Sequence, residues 1–184
     1  MRQRPSILSV LALALLLPQV DFASAQSPSA PPSAGAIESP IGKVVTLEGS
    51  ATIERTALVA TQASTATGPI NAKIGDILYR GDVLQTAAAS KLGVVFADGT
   101  ALNVFASARM ELNEFVYQPE GKWNSSVFNL VKGTFTFVGG KMVKSGDMRI
   151  NTTAATMGIR GTTAHVVIAE DGTVKFTSLI EEKQ

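Results

Sequence analysis

The amino-acid sequence predicts an all-β protein, and three observations lead to that fold class. Apolar and polar residues alternate in short runs, which is the period-two pattern of half-buried strands. Glycine and Asp-Gly turns separate these runs at intervals of about 8–12 residues, a spacing typical of β-sandwiches and barrels. No window shows the sustained helical period of an amphipathic helix. We therefore expect a single all-β domain that is either twisted and solenoid-like or sandwich-like.

The first predicted strands lie in "GKVVTLEGSATIERT". Val45 and Leu47 share one face of the first run, Gly49-Ser50 predicts a turn, and "ATIER" predicts the strand that follows. The Ala/Thr-rich stretch 56–72 interrupts the pattern. We expect it to be an insertion loop, and a loop of this length in a compact domain is usually mobile or functional.

A hairpin is predicted in "KLGVVFADGTALNVF", where Asp98-Gly99 is the turn. An Asp-Gly pair between alternating apolar residues is the strongest short-range hairpin signal. The alternating positions are Leu92, Val94, Phe96, Leu102 and Val104.

The remaining strands follow the same period. "ARMELNEF" alternates throughout, and "SSVFNLVKGTFTFVGG" predicts a strand to Val131, a turn at Lys132-Gly133 and a second strand through Phe135 and Phe137. "DMRINT" and "TTAHVVIAEDGTVKFTSL" complete the series.

The segment before these strands predicts export. Arg2 and Arg4 precede the apolar run 7–17, and Ala23-Ser24-Ala25 is a small-residue cleavage site, so we expect residues 1–25 to be a secretory signal peptide. The run is too short for a membrane-spanning helix, which needs roughly 20 residues. Residues 26–40 are rich in Pro, Ser and Ala and predict a disordered linker, which leaves 41–184 as the domain.

The composition excludes several classes of function. The chain has no cysteine and one histidine, so it lacks the ligands of an ordinary zinc site, and it has no disulfide framework. Removal of residues 1–25 leaves equal numbers of basic and acidic residues, which argues against binding to nucleic acid. We expect a protein with no cofactor, no metal and no membrane span in its mature form, located in the periplasm or secreted.

Turn motifs supply the next candidates. "GDILYR" is followed at once by "GDVLQT", and this echo, with its turn residues Gly81 and Asp82, would suit the rungs of a β-solenoid. Arg80-Gly81-Asp82 also matches an integrin-binding tripeptide, but the repeated Gly-Asp indicates a turn. The aspartates beside glycines, Asp98 included, could bind calcium, yet closing a turn is their more common role.

The least ordinary stretch is "ATMGIRGTTAHV". Gly158 and Gly161 flank Arg160, and consecutive amides in such a turn could hold an anion. Arginine is equally suited to tying down neighbouring carbonyls or a carboxylate. We favour a structural turn made of Gly158, Arg160, Gly161 and Thr162, with an interaction role as the alternative.

Two other functions are open. An esterase-like enzyme would depend on His165, which the alternation of "TAHVVIA" places opposite the apolar face, and the sequence has no nucleophile elbow to accompany it. A carbohydrate- or surface-binding domain would depend on exposed aromatic residues, for which Tyr117 and Trp123 are the candidates.

The order of the motifs resembles the FecR-like domain family. The motifs are "GDVLQT", "DGTAL", "FNLVKGTF", "RINTTAATMGIRGTTAHVVI" and "DGTVKF", and the likeness runs from about Val44 to Leu179. Thr153 stands where the family signature usually has proline.

The resemblance implies a bacterial extracytoplasmic domain that takes part in signalling through protein contacts. In well-known members it relays occupancy of an outer-membrane iron–siderophore receptor to a sigma factor through a spanning helix and a cytoplasmic region. No segment of those two kinds is evident in this sequence. The predicted function is therefore a non-enzymatic protein-interaction module whose partner is an envelope or outer-membrane protein, or a second copy of itself.

Overall fold

The alternating runs of the sequence form thirteen strands among the described residues, which confirms the all-β prediction. The structure is a computed structural model that describes residues 39–55, 68–120, 123–145, 147–161 and 163–179. The predicted signal peptide and all but the last two residues of the predicted linker lie outside these ranges, so both stay predictions. The elements are β1 (Gly42–Glu48), β2 (Ala51–Glu54), β3 (Pro69–Asn71), β4 (Ile77–Leu78), β5 (Val83–Thr86), β6 (Lys91–Phe96), β7 (Ala101–Val104), β8 (Arg109–Val116), β9 (Ser125–Val138), α1 (Lys141–Ser145), β10 (Met148–Asn151), β11 (Thr156–Ile159), β12 (Thr163–Ile168) and β13 (Val174–Leu179).

The thirteen strands form one sheet that curls into a half-barrel with two parts. Sheet A has the order β4, β1, β6, β7, the second half of β9, β12 and β13. Sheet B has the order β3, β2, β5, β8, the first half of β9, β10 and β11. Neighbouring strands are antiparallel, except that β10 runs parallel to β9.

Strand β9 belongs to both sheets. Its first half, up to Lys132, pairs with β8, and its second half, from Gly133, pairs with β7 and β12. The prediction of a chain-reversing turn at Lys132-Gly133 is therefore wrong. Gly133 has a φ of 105°, so the strand bends there and continues in the other sheet. The glycine does change the direction of the chain, as the sequence indicated. Whether the chain bends or reverses there is shown only by the strands that pair with β9 on each side of Gly133.

Seven passages between the two sheets each go through a residue with positive φ. Such residues turn the chain sharply, and all residue types other than glycine adopt this conformation at a cost of roughly 1–2 kcal/mol. The residues are Gly49, Gly75, Gly81, Ala89, Ser107, Gly133 and Gly161. The remaining three positive-φ residues, Gly68, Gly99 and Gly172, lie in loops that return to the same sheet.

The core between sheets A and B is held by stacked phenylalanines. Phe115 of sheet B stacks on Phe96 of sheet A with ring centroids 5.5 Å apart, and Phe96 stacks on Phe128 of sheet B at 5.0 Å. Phe128 continues to Phe137 of sheet A at 5.8 Å. The rings alternate between the sheets, so burying them joins the two parts, and offset pairs add roughly 0.5–1.5 kcal/mol each.

Three details differ from the sequence prediction. Strand β3 lies inside the stretch predicted to be a loop, because its three residues find a backbone partner in β2. Helix α1 has five residues and is too short to produce a periodic signal. A bulge between Val44 and Thr46 buries Val44 and leaves Val45 exposed, although the simple alternation had placed Val45 with Leu47.

The four edge strands differ in length. At one end of the half-barrel, β3 has three residues and begins with Pro69, and β4 has two residues. Short edges and proline are the usual protection against pairing with another chain. At the other end, which we call the open end, β11 has four residues and β13 has six.

The bend in β9 predicts a strong effect of Gly133→Ala. A Cβ on Gly133 would lie 2.3 Å from the Ala108 Cβ, in addition to the strain of the positive φ. We expect a loss of about 2–4 kcal/mol in the free energy of unfolding, measured by urea denaturation. Gly172→Ala is the matched control, because Gly172 has a φ of 82° with no atom near its added Cβ. Equal losses for the two variants would show that the contact with Ala108 does not matter.

The strained corner at Ala89 predicts that a glycine there stabilises the protein. Ala89 has a φ of 54°, so Ala89→Gly removes strain at a cost in unfolded-state entropy, for a net gain of up to about 1 kcal/mol. Ala101→Gly in β7 is the control and should lower stability by about 0.5–1 kcal/mol. A thermal melt in which Ala89→Gly lowers Tm as much as the control does would contradict this account of the corner.

Candidate functional site

The stretch "ATMGIRGTTAHV", which contains the predicted turn, includes β11 at the open end. Strands β10 and β11 form a hairpin in which Arg149 is directly opposite Gly158. The chain then leaves sheet B at Ile159 and enters sheet A at Thr163, so Arg160 and Gly161 lie on the passage between the sheets. Thr162, also predicted to belong to this turn, lies outside the described residues.

Gly161 turns the chain within this passage. Its φ is 139°, and its N–H points to the Val143 carbonyl of α1 at a distance of 3.4 Å. The passage therefore lies against the short helix, in which Lys144 is the residue after Val143.

Arg160 has no tying contact with any described residue. Its side chain is exposed, and no hydrogen bond or ion pair to its guanidinium is present among the described residues. The same is true of Arg149 and Lys144, which are also exposed. The open end thus carries three cations that form no ion pair with a described carboxylate.

Gly158 is not explained by its own surroundings. Its φ lies outside the positive region, and a Cβ built on it would meet no atom within 4 Å. The two other glycines inside strands with ordinary φ are confined: an added Cβ would lie 2.1 Å from the Thr46 Oγ1 at Gly93, and 3.0 Å from the Phe96 Cδ1 at Gly42. Only Gly158 among these three faces open space.

The two Gly-Asp motifs form successive passages between the sheets, on either side of β4. In each turn, the aspartate makes two hydrogen bonds to the residue three positions before it. Its carboxylate accepts the backbone N–H of that residue, and its own backbone N–H donates to the carbonyl of the same residue. The distances are 2.8 and 3.1 Å for Asp76 with Lys73, and 2.9 and 3.2 Å for Asp82 with Tyr79. The repeat in the sequence therefore records a repeated turn.

Asp82 has a second role that the sequence did not indicate. It is 2% exposed, and its Oδ1 lies 3.9 Å from the Arg55 Nε. The Arg55 guanidinium also lies over the Tyr79 ring, 5.3 Å from the centroid, and donates to the Ile77 carbonyl at 3.2 Å. Arg55 thus connects β2 to the passages around β4. A buried aspartate also means that the Arg80-Gly81-Asp82 tripeptide is not displayed as a recognition loop.

Asp98 caps helix α1 from a distant hairpin. Its carboxylate accepts the Thr100 N–H at 3.0 Å, the Thr100 hydroxyl at 2.6 Å and the Met142 N–H at 3.2 Å. The Thr100 Oγ1 in turn accepts the Gly140 N–H at 3.2 Å. The sequence predicted the turn at Asp98-Gly99, but the capping of a helix about 40 residues later depends on tertiary contact.

His165 lies where the alternation predicted, on the outer face of sheet A. Its Nδ1 is 2.9 Å from the Thr136 Oγ1 of the neighbouring strand. Among the described residues, no group of three or more His, Asp or Glu side chains is arranged to hold a metal ion.

The aromatic candidates are separate from each other. Trp123 is 86% exposed. Tyr117 lines a shallow groove of about 290 Å³ together with Arg80, and the Lys141 Nζ lies 6.0 Å from the Tyr117 ring centroid. No stacking between the two aromatic rings is present in the described part of the chain.

The edge at β13 exposes apolar surface. Val174, Phe176 and Ser178 pair with Ile168, Val166 and Ala164, which are buried, so Phe176 points to the core side of sheet A. Phe176 is nevertheless 40% exposed. The core face of the half-barrel is therefore incompletely covered at the open end.

A family model described as FecR protein matches residues 82–179. The matched span covers more than half of the chain and includes β5 to β13, so it contains parts of both sheets and the open end. No curated protein and no solved structure matches the chain. In the described ranges, no helix has the length and apolar character that crossing a bilayer requires.

The two Asp-Gly-Thr turns predict unequal effects of removing their aspartates. Asp98→Ala removes three hydrogen bonds from a buried site and should lower the free energy of unfolding by about 2–4 kcal/mol. Asp171→Ala is the matched control and should have a small effect, because the Asp171 carboxylate accepts the Thr173 N–H, at 2.8 Å, in an exposed turn. Similar urea midpoints for the two variants would contradict the capping role of Asp98.

Asp171 also adds a small pH dependence. The hydrogen bonds from Thr173 lower the pKa of the Asp171 carboxyl below its usual value. What this group contributes to stability is present above its unfolded-state pKa and is lost as the pH falls through the lower folded-state value.

Proposed function

Because this chain belongs to the FecR family, we propose that it is a non-enzymatic extracytoplasmic module that takes part in envelope signalling or sensing by binding another protein. The partner is an envelope or outer-membrane protein, and self-association is the alternative. The features of residues 1–25 support export, since they have the basic start, apolar run and cleavage site of a secretory signal peptide.

The open end is the observation that carries this proposal. Strands β11 and β13 leave their outer edges without a partner strand among the described residues, whereas the opposite end is protected by very short strands and Pro69. An extended segment of another protein commonly binds by pairing with an open sheet edge, and exposed apolar surface beside the edge adds side-chain contacts. Phe176, at 40% exposure on the core-facing side, supplies the apolar contact.

The side chains give little support to an enzyme. The Nδ1 of His165, the chain's one histidine, lies at hydrogen-bond distance from a threonine hydroxyl. A serine hydrolase needs this base to be oriented by an acid and in contact with a nucleophilic serine. We therefore base the proposal on binding.

A carbohydrate- or surface-binding domain is the second candidate, because Trp123 is 86% exposed. An exposed tryptophan can stack on a sugar ring, but a sugar site ordinarily combines several aromatic faces, and Tyr117 is engaged by Lys141. Binding on a glycan array that is lost in Trp123→Ala would favour this candidate.

Crosslinking in the bacterial envelope tests the proposed function. We expect the wild-type protein to capture a discrete envelope protein, identified by mass spectrometry, and Phe176→Ser to reduce that capture several-fold. Val45→Ser is the matched control, since Val45 has almost the same exposure, 41%, but lies in β1, away from the open end. The absence of any captured protein, or equal capture by all three proteins, would count against the proposal.

A further inference from the structure

We propose that the outer edge of β11, with the surface around Gly158, binds an extended acidic segment of the partner protein. The inference rests on the proposed function, because it specifies the chemistry of the partner at the open end. It starts from Gly158, the strand glycine that its own backbone and neighbours do not require.

A glycine inside a strand weakens the strand, and it often marks a place where another backbone or a ligand approaches closely. Gly158 is exposed on the outer face of sheet B, and the space above it is empty of atoms. A Cβ at this position would clash with no atom of the folded protein. In the bound state, this open space lets side chains reach across β11 to a strand added at its edge.

The charges around Gly158 indicate the chemistry of that segment. Arg149 is the residue directly opposite Gly158 in β10. Arg160 is two residues beyond Gly158, at the start of the passage that follows β11. Without a side chain at Gly158, the Arg149 guanidinium can reach across β11 to an added strand. Carboxylates in such a strand would face both guanidiniums.

The surroundings add to this positive charge. Between residues 141 and 161 the charged residues are Lys141, Lys144, Asp147, Arg149 and Arg160. The one carboxylate among them, Asp147, accepts the Ser145 hydroxyl at 2.5 Å. This surplus argues against pairing of two copies of the chain through this edge, because the same cations would face each other.

The binding mode is the addition of a strand. Backbone N–H and C=O groups of β11 would pair with an extended segment, while alternate side chains determine which segment binds. The preferred segment has carboxylates two residues apart, facing Arg149 and Arg160, and apolar residues between them, facing Met157 and the exposed part of the core.

A peptide titration of the purified full chain tests the inference. The probe is the peptide GSVEVEVEVTSG, and its controls are GSVKVKVKVTSG and GSVVEEVVETSG, in which the charge is reversed or the alternation is lost. We expect only the first peptide to shift the NMR amide signals of β10 and β11, with weaker binding as salt increases. Equal binding of the lysine peptide, or no binding of the glutamate peptide at millimolar concentration, would overturn the inference.

Gly158→Thr separates binding from stability. Threonine suits an exposed strand position, so this variant should have a Tm raised by roughly 1–4 °C, yet lose peptide binding because its side chain fills the open space. Arg149→Ala and Arg160→Ala should each weaken binding roughly two- to fivefold. Arg109→Ala is the matched control and should bind normally, because Arg109 lies across sheet B and pairs with Glu54 at 3.3 Å. Full binding by Gly158→Thr would refute the proposed site.

The same variants distinguish this inference from the proposed function. Envelope crosslinking that is reduced by Phe176→Ser but unchanged by Gly158→Thr would leave the proposed function standing and remove the β11 site. Envelope crosslinking that fails for the wild type would remove the proposed function itself, whatever the peptide does.

Discussion

The fold depends on one strand that belongs to two sheets. β9 passes from sheet B to sheet A without ending, and the bend at Gly133 sets the angle at which the two parts of the sheet face each other. The close approach of Ala108 leaves no room for a side chain at the bend. With this angle set, the four stacked phenylalanines meet between the sheets and the remaining strands add on both sides of β9.

Residues with positive φ turn the chain in the same way at six further passages. Glycine supplies most of them, and at Ala89 and Ser107 the protein tolerates the strain of a non-glycine residue. The two Gly-Asp turns use glycine for the backbone and aspartate to satisfy the neighbouring N–H. A recurring sequence motif can thus arise from a recurring corner, without the stacked identical rungs of a solenoid.

The open end combines features that stability alone does not favour. It has edge strands long enough to pair, an apolar side chain that is only partly covered, exposed cations and a glycine with empty space above it. The opposite end, formed by β3 and β4, lacks the first of these features because its strands are short. Such an asymmetry is expected when one end of a sheet serves binding and the other only has to avoid aggregation.

The sequence alone determined the fold class, because period-two alternation and Asp-Gly turns are local signals that do not depend on partners. It also located Asp98-Gly99, the Gly-Asp turns and the face of His165, since each follows from neighbouring residues. The order of the motifs indicated the family. These local signals could not say whether the chain reverses or bends at Lys132-Gly133, since both use a glycine with positive φ.

Only the tertiary structure decided what lies beside each residue. Asp98 caps a helix far along the chain, and Asp82 meets Arg55. Arg160 has no hydrogen bond or ion pair to the part of the chain that the structure describes. Gly158 could be recognised as a candidate only from the folded structure, because the sequence does not show whether a Cβ at a glycine would clash with its neighbours. Strand partners, burial and open space depend on residues distant in sequence, and that is the physical reason why the candidate site required the folded chain.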